Sequence, residues 1–137
     1  MRYYKILIVD DDADDRDIMQ AVLDRRDSTG HLILASAEET LSYLEAIERD
    51  EDLPQLIMTD LNMPGMNGIE LLKRLKSTER YASVDVLVYS TSTLNTQIEL
   101  CLALGAKDYM AKPSVLAGYE QLAERITEAA GVESSVM

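Results

Sequence analysis

Cysteine, basic side chains and long hydrophobic runs are all scarce in this chain of 137 residues. The lone cysteine, Cys101, lies among aliphatic neighbours and has no intramolecular disulfide partner, so we predict a small, buried apolar residue there. The 13 lysines and arginines face 25 acidic residues, and the net charge of -12 argues against direct nucleic-acid binding. The apolar runs are too short to cross a membrane, and no signal-peptide core precedes the first acids. We therefore expect a cytoplasmic protein.

Short aliphatic runs alternate along the chain with segments that carry apolar residues at helical spacing. The runs of strand length are Tyr4 to Val9, Leu32 to Ala35, Leu56 to Thr59, Val84 to Tyr89 and Tyr109 to Ala111. Because strands that are apolar on both faces are typical of a parallel sheet covered by helices, the pattern predicts a doubly wound α/β fold. The length fits one domain over residues 1–137.

Polar side chains follow four of the five predicted strands. Asp10 and Asp11 come after the first strand, Asp60 after the third, Ser90 after the fourth and Lys112 after the fifth. In parallel α/β sheets, ligands bind beyond the carboxyl ends of the strands. We therefore expect these side chains to meet at one edge of the sheet.

The residue types at this edge suit phosphoryl transfer. Asp10, Asp11 and Asp60 supply the hard oxygen ligands that Mg²⁺ prefers, and the cation would relieve the repulsion among them. A lysine such as Lys112 offers a mobile positive charge for phosphate oxygens, and the hydroxyl of Ser90 offers a hydrogen-bond donor. Together they indicate transfer of a phosphoryl group onto a carboxylate.

Four segments, in this order and at these intervals, carry a resemblance to a known family. They are VDD (Val9 to Asp11), DLNMPGMNG (Asp60 to Gly68), YST (Tyr89 to Thr91) and GAKDYMAKP (Gly105 to Pro113). The chain resembles the receiver domain of two-component response regulators, in particular stand-alone members like the chemotaxis regulator. The resemblance implies a flavodoxin-like (βα)5 fold with strand order 2-1-3-4-5, and no separate output domain within residues 1–137.

The resemblance also implies a phosphoacceptor and a metal site. Asp60 would accept the phosphoryl group from a histidine kinase or a histidine phosphotransfer protein. Asp11 and Asp60 would bind Mg²⁺ directly, Asp10 through water, and the backbone carbonyl of Asn62 would complete the protein ligands. The chain would phosphorylate and dephosphorylate itself without acting on a separate substrate, so the resemblance does not imply an enzyme in the ordinary sense.

Switch residues are implied in the same way. Lys112 would pair with Asp60 or its phosphoryl group, and Ser90 would donate a hydrogen bond to a phosphoryl oxygen. Tyr109 would turn inward when Ser90 moves, while Thr91, larger than the alanine often found there, would restrict access. By the same analogy the peptide bond between Lys112 and Pro113 is expected to be cis.

The predicted helix around residues 95–104 carries apolar residues on more than one side. One stripe, made of Ile98, Cys101 and Leu102, can face the sheet, whereas Leu100 and Leu104 lie one turn apart on another side. These two leucines either pack against the neighbouring helix or belong to a surface that binds a downstream protein. We take the second as a hypothesis and expect a monomer or a weak dimer that binds neither nucleic acid nor membrane.

Other interpretations of the acids remain as alternatives. A Mg²⁺-dependent phosphatase with an aspartate nucleophile is the main one; a flavodoxin-like electron carrier and a receiver that is not phosphorylated are weaker. A calcium loop beginning at Asp10 fails, because Asp15 stands where its turn glycine belongs and Ala21 where its bidentate glutamate belongs. We assign Asp12, Asp14 and Asp15 to the start of a helix, where its dipole stabilises acids.

Overall fold

Alternating strands and helices make up the computed structural model, which describes residues 4–26, 30–92 and 94–131. Within these residues the strands are β1 (Ile6–Val9), β2 (His31–Leu34), β3 (Leu56–Asp60), β4 (Asp85–Ser90) and β5 (Asp108–Ala111). The helices are α1 (Ala13–Asp24), α2 (Ala37–Glu45), α3 (Gly68–Ser77), α4 (Asn95–Ala103) and α5 (Leu116–Ala129). Short 3-10 turns at Asp50–Asp52 and Glu79–Tyr81 come before β3 and β4.

All strand pairs in the sheet are parallel, and the order is β2-β1-β3-β4-β5. This confirms the predicted α/β class and strand order, and each strand lies within two residues of its predicted bounds. β1 is central, since Ile6 pairs with His31 of β2 on one side and with Leu56 of β3 on the other. The first and third strands are therefore neighbours, which brings their carboxyl ends together.

Both faces of the sheet are buried by helices. Strand side chains alternate between the two faces, so every second residue of a strand joins the same core. Buried residues of α1 and α5 pack on one face with Ile6, Ile8, Leu56 and Met58. The other face packs against helices α2 and α3 and against Cys101 of α4. The carboxyl ends of the strands emerge at one edge of this three-layer arrangement.

Polar side chains cap the amino ends of the first three helices. The carboxylate of Asp12 accepts the backbone N–H of Asp14 at 2.8 Å and of Asp15 at 3.0 Å, as expected for an acid that opens α1. Ser36 caps α2 in the same way. Asn67 and Glu70 form a reciprocal capping box at the start of α3. These caps fix where each helix begins after its strand.

Helix α4 differs from its prediction. Cys101 is fully buried, as predicted, but Leu102 is 46% exposed and does not face the sheet. Leu100 is 42% exposed, whereas Leu104, just after the helix, is partly buried against the core on the α2 and α3 side. The assignment of Leu102 was wrong because this helix is apolar on several sides, so periodicity alone does not select its buried face.

The peptide bond between Lys112 and Pro113 is trans, as are the other peptide bonds among the described residues. The expected cis bond was therefore wrong. Trans is the favoured isomer before proline, by about 0.5–1 kcal/mol, so the family analogy was the weaker guide here. In the part of the chain that the structure describes, no helix combines the length and the apolar character needed to cross a membrane.

Candidate functional site

Strand alternation places the polar side chains of three strand ends on one face of the sheet. Asp10 continues the stripe of Ile6 and Ile8, Asp60 continues the stripe of Leu56 and Met58, and Lys112 follows Met110 by two residues. The site is thus an extension of the core that packs against α1 and α5. Because the residues of that core are buried, the side chains at its edge have packed neighbours on the core side.

The predicted acid cluster is present. Each of Asp10, Asp11 and Asp60 offers a carboxylate oxygen, and the offered oxygens lie within 4.8 Å of one another. Asp10 is fully buried and Asp60 is 5% exposed, whereas Asp11 is exposed. Carboxylates this close repel one another, and a hard divalent cation with oxygen ligands removes the repulsion. The donor set fits such an ion, with Asp11 on the solvent side.

Asp10 is fixed by hydrogen bonds on both of its oxygens. Its Oδ1 accepts the backbone N–H of Asp12 at 3.0 Å, and its Oδ2 accepts the hydroxyl of Tyr89. The side chain of Arg16 donates to the backbone carbonyl of Asp10 at 2.9 Å. These partners restrict how far the Asp10 carboxylate can turn, and its contact to a metal through water stays a prediction.

Lys112 lies at the centre of the cluster. Among the described residues its ammonium contacts three carboxylates, those of Asp10 at 3.0 Å, Asp15 at 2.9 Å and Asp60 at 3.0 Å. It also lies 5.0 Å from the centre of the Tyr89 ring. The side chain is 8% exposed, so these contacts are little screened by water. The contacts with Asp15 and Asp60 are hydrogen bonds, and the contact with Asp10 is an ion pair.

Asp60 lies at the end of β3 in a partly desolvated position. Burial raises the pKa of the Asp60 carboxyl from 3.8 to about 6, against the opposing effect of the Lys112 ammonium. Its Oδ2 accepts from Lys112 at 3.0 Å, and its Oδ1 lies 3.4 Å from the backbone nitrogen of Asn62. The charged form is therefore held at a cost that a further cation would relieve.

The loop after Asp60 returns close to the strand. The backbone N–H of Gly68 donates to the carbonyl of Leu61 at 2.9 Å. A β-carbon on Gly68 would stand 2.2 Å from the carbonyl oxygen of Asp60 and 2.8 Å from the Cα of Leu61, so only glycine fits. This close approach keeps the start of α3 against the end of β3 and leaves Asn62 exposed beside the acids.

The predicted switch residues lie together at the ends of β4 and β5. Ser90 is fully buried, and its Oγ accepts the backbone N–H of Ser92 at 3.1 Å. The hydroxyl of Tyr109, which is half-buried, donates to the carbonyl of Ser92 at 2.9 Å. Thr91, which follows Ser90 in the chain, is exposed. Ser90 and Tyr109 thus hold the same backbone segment, although their roles in switching stay predictions.

Sequence reasoning missed two contributors to the site. Tyr89 was quoted as a strand residue and as part of the YST segment but was given no role, yet its hydroxyl reaches Asp10 across the sheet. Asp15 was assigned only to the helix start, yet it contacts both Lys112 and the hydroxyl of Tyr119. No signal in the sequence indicated the contacts of Asp15, because its partners Lys112 and Tyr119 lie 97 and 104 positions farther along the chain. Tyr89 pairs with Asp60 in the sheet register, which only the strand order reveals.

Comparisons with known proteins point to one family. The model of the response regulator receiver domain matches residues 6–127. The two-component response regulator ARR5 of Arabidopsis thaliana is 35% identical over 131 residues, covering 90% of this chain and 71% of ARR5. A chemotaxis protein CheY homolog of Campylobacter jejuni is 32% identical over 109 residues, covering 80% of this chain and 81% of the homolog.

Solved structures agree with this match. The phosphorylated cyanobacterial phytochrome response regulator RcpA superposes with a TM-score of 0.79 at 27% identity, covering 93% of each chain. The Mn²⁺-bound form of the response regulator Rcp1 gives a TM-score of 0.78 at 25% identity, covering 91% of this chain and 92% of Rcp1. The similarity therefore spans the strands, the helices and the edge of the sheet where Asp10, Asp11 and Asp60 lie.

Proposed function

The chain belongs to the response regulator receiver domain family of two-component signalling, and on that premise we propose that Asp60 is its phosphoacceptor. The observation that carries the proposal is the surroundings of Asp60. Its carboxylate is 5% exposed, contacts the Lys112 ammonium at 3.0 Å and lies beside the oxygens of Asp10 and Asp11. A nucleophile between fixed positive charge and potential metal ligands suits attack on a phosphoryl group.

The transfer needs little beyond positioning and charge. A carboxylate oxygen of Asp60 forms a bond to phosphorus while the bond from phosphorus to the donor group breaks, and the donor leaves with that electron pair. Lys112 would donate hydrogen bonds to the phosphoryl oxygens, and Ser90 would donate another from its hydroxyl. Phosphoryl transfer depends on alignment and on neutralised oxygen charge more than on a strong base.

We assign the metal to Mg²⁺. Asp11 and Asp60 would bind it directly, Asp10 through water, and the carbonyl of Asn62 would add a fourth protein contact. Bound there, Mg²⁺ would neutralise charge that develops on the phosphoryl oxygens. The support is the chemistry of the donor set, since Mg²⁺ prefers carboxylate and carbonyl oxygens and keeps several waters.

The donor and the output are protein partners in this proposal. The phosphoryl group would come from a histidine kinase or a histidine phosphotransfer protein, and the chain would have no separate substrate. Ser90, Thr91 and Tyr109 would sense the phosphoryl group, and Leu100 with Leu104 would form part of the surface for a downstream protein. Leu100 is 42% exposed, as a side chain in such a surface must be. The cytoplasmic location stays a prediction.

Intact-mass measurement tests the proposal. The protein is incubated with Mg²⁺ and acetyl phosphate, and the parent is compared with Asp60→Asn and with Asp17→Asn, an exposed acid on α1 that serves as the control. We expect the parent and Asp17→Asn to gain one phosphoryl group and Asp60→Asn to gain none. Modification of Asp60→Asn at the parent rate would contradict the assignment.

A further inference from the structure

Asp15 occupies a position between the phosphoacceptor site and helix α5. Its Oδ2 accepts from the Lys112 ammonium at 2.9 Å, and its Oδ1 accepts from the hydroxyl of Tyr119 at 3.0 Å. Tyr119 belongs to the core between α1 and α5 and is 5% exposed. Both oxygens of Asp15 are thus committed, one to a rigid aromatic side chain and one to the lysine beside Asp60.

Asp15 differs from the other acids that hold Lys112. Asp10 and Asp60 belong to the acid cluster that fits a divalent ion, and their oxygens would be shared between that ion and the ammonium. Carboxylates beside a divalent ion would divide their attraction between the ion and the ammonium, and the ion's own charge would repel the ammonium. Asp15 lies on α1 and is not part of the acid cluster, so its carboxylate would remain available to Lys112.

We propose that Asp15 is a positioning residue, fixed by Tyr119, that keeps the Lys112 ammonium beside Asp60 when the divalent ion engages the other acids. The inference rests on the proposed function, because it concerns the geometry of phosphoryl transfer to Asp60. Lysine has a flexible four-carbon stem, so its ammonium needs a partner outside the metal ligands to stay in reach of the phosphoryl group. Asp15 does not touch the reacting atoms in this scheme.

The contacts on both sides of Asp15 fit this role. The Lys112 side chain is 8% exposed, so its 2.9 Å contact with Oδ2 of Asp15 is little screened by water. Burial and the hydrogen bond to Asp15 raise the pKa of Tyr119 to about 12, so its hydroxyl stays a donor at neutral pH. Tyr119 therefore remains a hydrogen-bond donor to Asp15 across the neutral range.

The test separates phosphoryl transfer from metal binding. The rate of phosphorylation by acetyl phosphate at saturating Mg²⁺ is followed by intact mass, and the Mg²⁺ affinity is measured by calorimetry. The variants are Asp15→Asn and, as a control, Asp14→Asn, an exposed neighbour on α1 with the same change in charge. We expect Asp15→Asn to slow phosphorylation about tenfold, and Asp14→Asn less than about twofold. The Mg²⁺ affinities of the two variants should agree within about twofold.

Tyr119→Phe provides a second variant that keeps the ring in the core and removes only the hydroxyl. It should slow phosphorylation about two- to threefold with no change in Mg²⁺ affinity. If Asp15→Asn does not fold, this variant tests the inference in its place, and phosphorylation of Tyr119→Phe at the parent rate would overturn it. Equal rates for Asp15→Asn and Asp14→Asn would overturn the inference, as would a loss in rate that only follows a loss in Mg²⁺ affinity. A parent protein that takes up no phosphoryl group would instead refute the proposed function, and this inference with it.

Discussion

The ammonium of Lys112 lies 3.0 Å from Oδ2 of Asp60, although the two residues are 52 positions apart in the chain. The contact exists because β3 and β5 are parallel and end at the same edge of the sheet, on opposite sides of β4. It lowers the pKa of Asp60, but burial raises it more, and the balance leaves the pKa at about 6. The charged form of Asp60, the proposed phosphoacceptor, therefore carries an electrostatic cost in the absence of a divalent ion.

That cost predicts how Asp60 affects stability. Because the folded state binds the Asp60 proton more tightly than the unfolded chain, this carboxyl contributes stability below about pH 4 that is lost as the pH rises through about 6. The shift corresponds to at most about 3 kcal/mol. In a chelator near pH 8, we expect Asp60→Asn to raise the free energy of unfolding by about 1–3 kcal/mol, measured by urea denaturation.

The matched variant is Asp17→Asn, which removes an exposed acid from α1 and should change the free energy of unfolding by less than about 0.5 kcal/mol. The gain from Asp60→Asn should shrink as the pH falls through about 6 and vanish near pH 4, because the carboxyl of the folded parent then takes up its proton. An Asp60→Asn protein that is less stable than the parent near pH 8 would show that the ionised Asp60 carboxylate does not destabilise the folded state.

Asp11 is the exposed acid of the cluster, so it should supply most of the negative charge on the solvent side of a bound divalent ion. We expect Asp11→Asn to weaken Mg²⁺ binding about tenfold or more, because it removes the carboxylate that we propose as a direct ligand. Asp12→Asn is the control, since it removes the neighbouring charge while asparagine still caps α1. Its effect should stay below about threefold, and calorimetric titration compares the two. Equal losses would mean that Asp11 acts only through its charge.

The close approach at Gly68 predicts a loss of both stability and function. A β-carbon there would stand 2.2 Å from the Asp60 carbonyl oxygen, so Gly68→Ala must displace the loop or the end of β3. We expect a loss of about 2–3 kcal/mol in the free energy of unfolding, together with slower phosphorylation. Urea denaturation and intact mass measure the two effects.

Gly131→Ala is a useful contrast to Gly68→Ala. Gly131 has φ 72° just after α5, but the nearest atom to its β-carbon would be 3.7 Å away. Alanine there should cost about 1–2 kcal/mol through the left-handed backbone alone and leave phosphorylation at the parent rate. If Gly68→Ala also kept the parent rate, the loop after Asp60 would not need its present position for the reaction.

The sequence predicted the fold and the central site residues for an identifiable reason. Five aliphatic runs at regular spacing indicated a parallel sheet, and parallel strands all end at one edge, so Asp10, Asp60 and Lys112 could be brought together without coordinates. The roles of Tyr89 and Asp15 depend instead on how the side chains of α1, α5 and β4 pack against one another. Such tertiary neighbours are not encoded in the spacing of residues along one element.

The exposed side of α4 marks another limit of the same kind. When a helix has one apolar stripe, the stripe indicates which face is buried. Helix α4 carries leucines on several sides, so its periodicity is compatible with more than one orientation. Only packing decides that Cys101 is buried while Leu100 and Leu102 remain exposed. The family analogy for the bond before Pro113 failed for a related reason, because it carried over a backbone isomer that these residues do not impose.

Different exposure predicts different costs for the two leucines assigned to the partner surface. Leu100 is 42% exposed, so Leu100→Ala should change the free energy of unfolding by less than about 0.5 kcal/mol. Leu104 packs against the core, so Leu104→Ala should cost about 1–2 kcal/mol. Both variants should be phosphorylated at the parent rate, since neither leucine belongs to the acid cluster of Asp10, Asp11 and Asp60. A slower rate in Leu100→Ala would connect α4 to the reaction itself.

The most direct measurement locates the phosphoryl group after incubation with acetyl phosphate, by peptide mass spectrometry of the trapped acyl phosphate. The account holds that acids from the ends of β1 and β3 bind a divalent ion so that the side chain at position 60 alone carries the group. It predicts a label on Asp60 in Mg²⁺ and none when a chelator removes the ion. A label on any other residue, or equal labelling with and without the chelator, would contradict it.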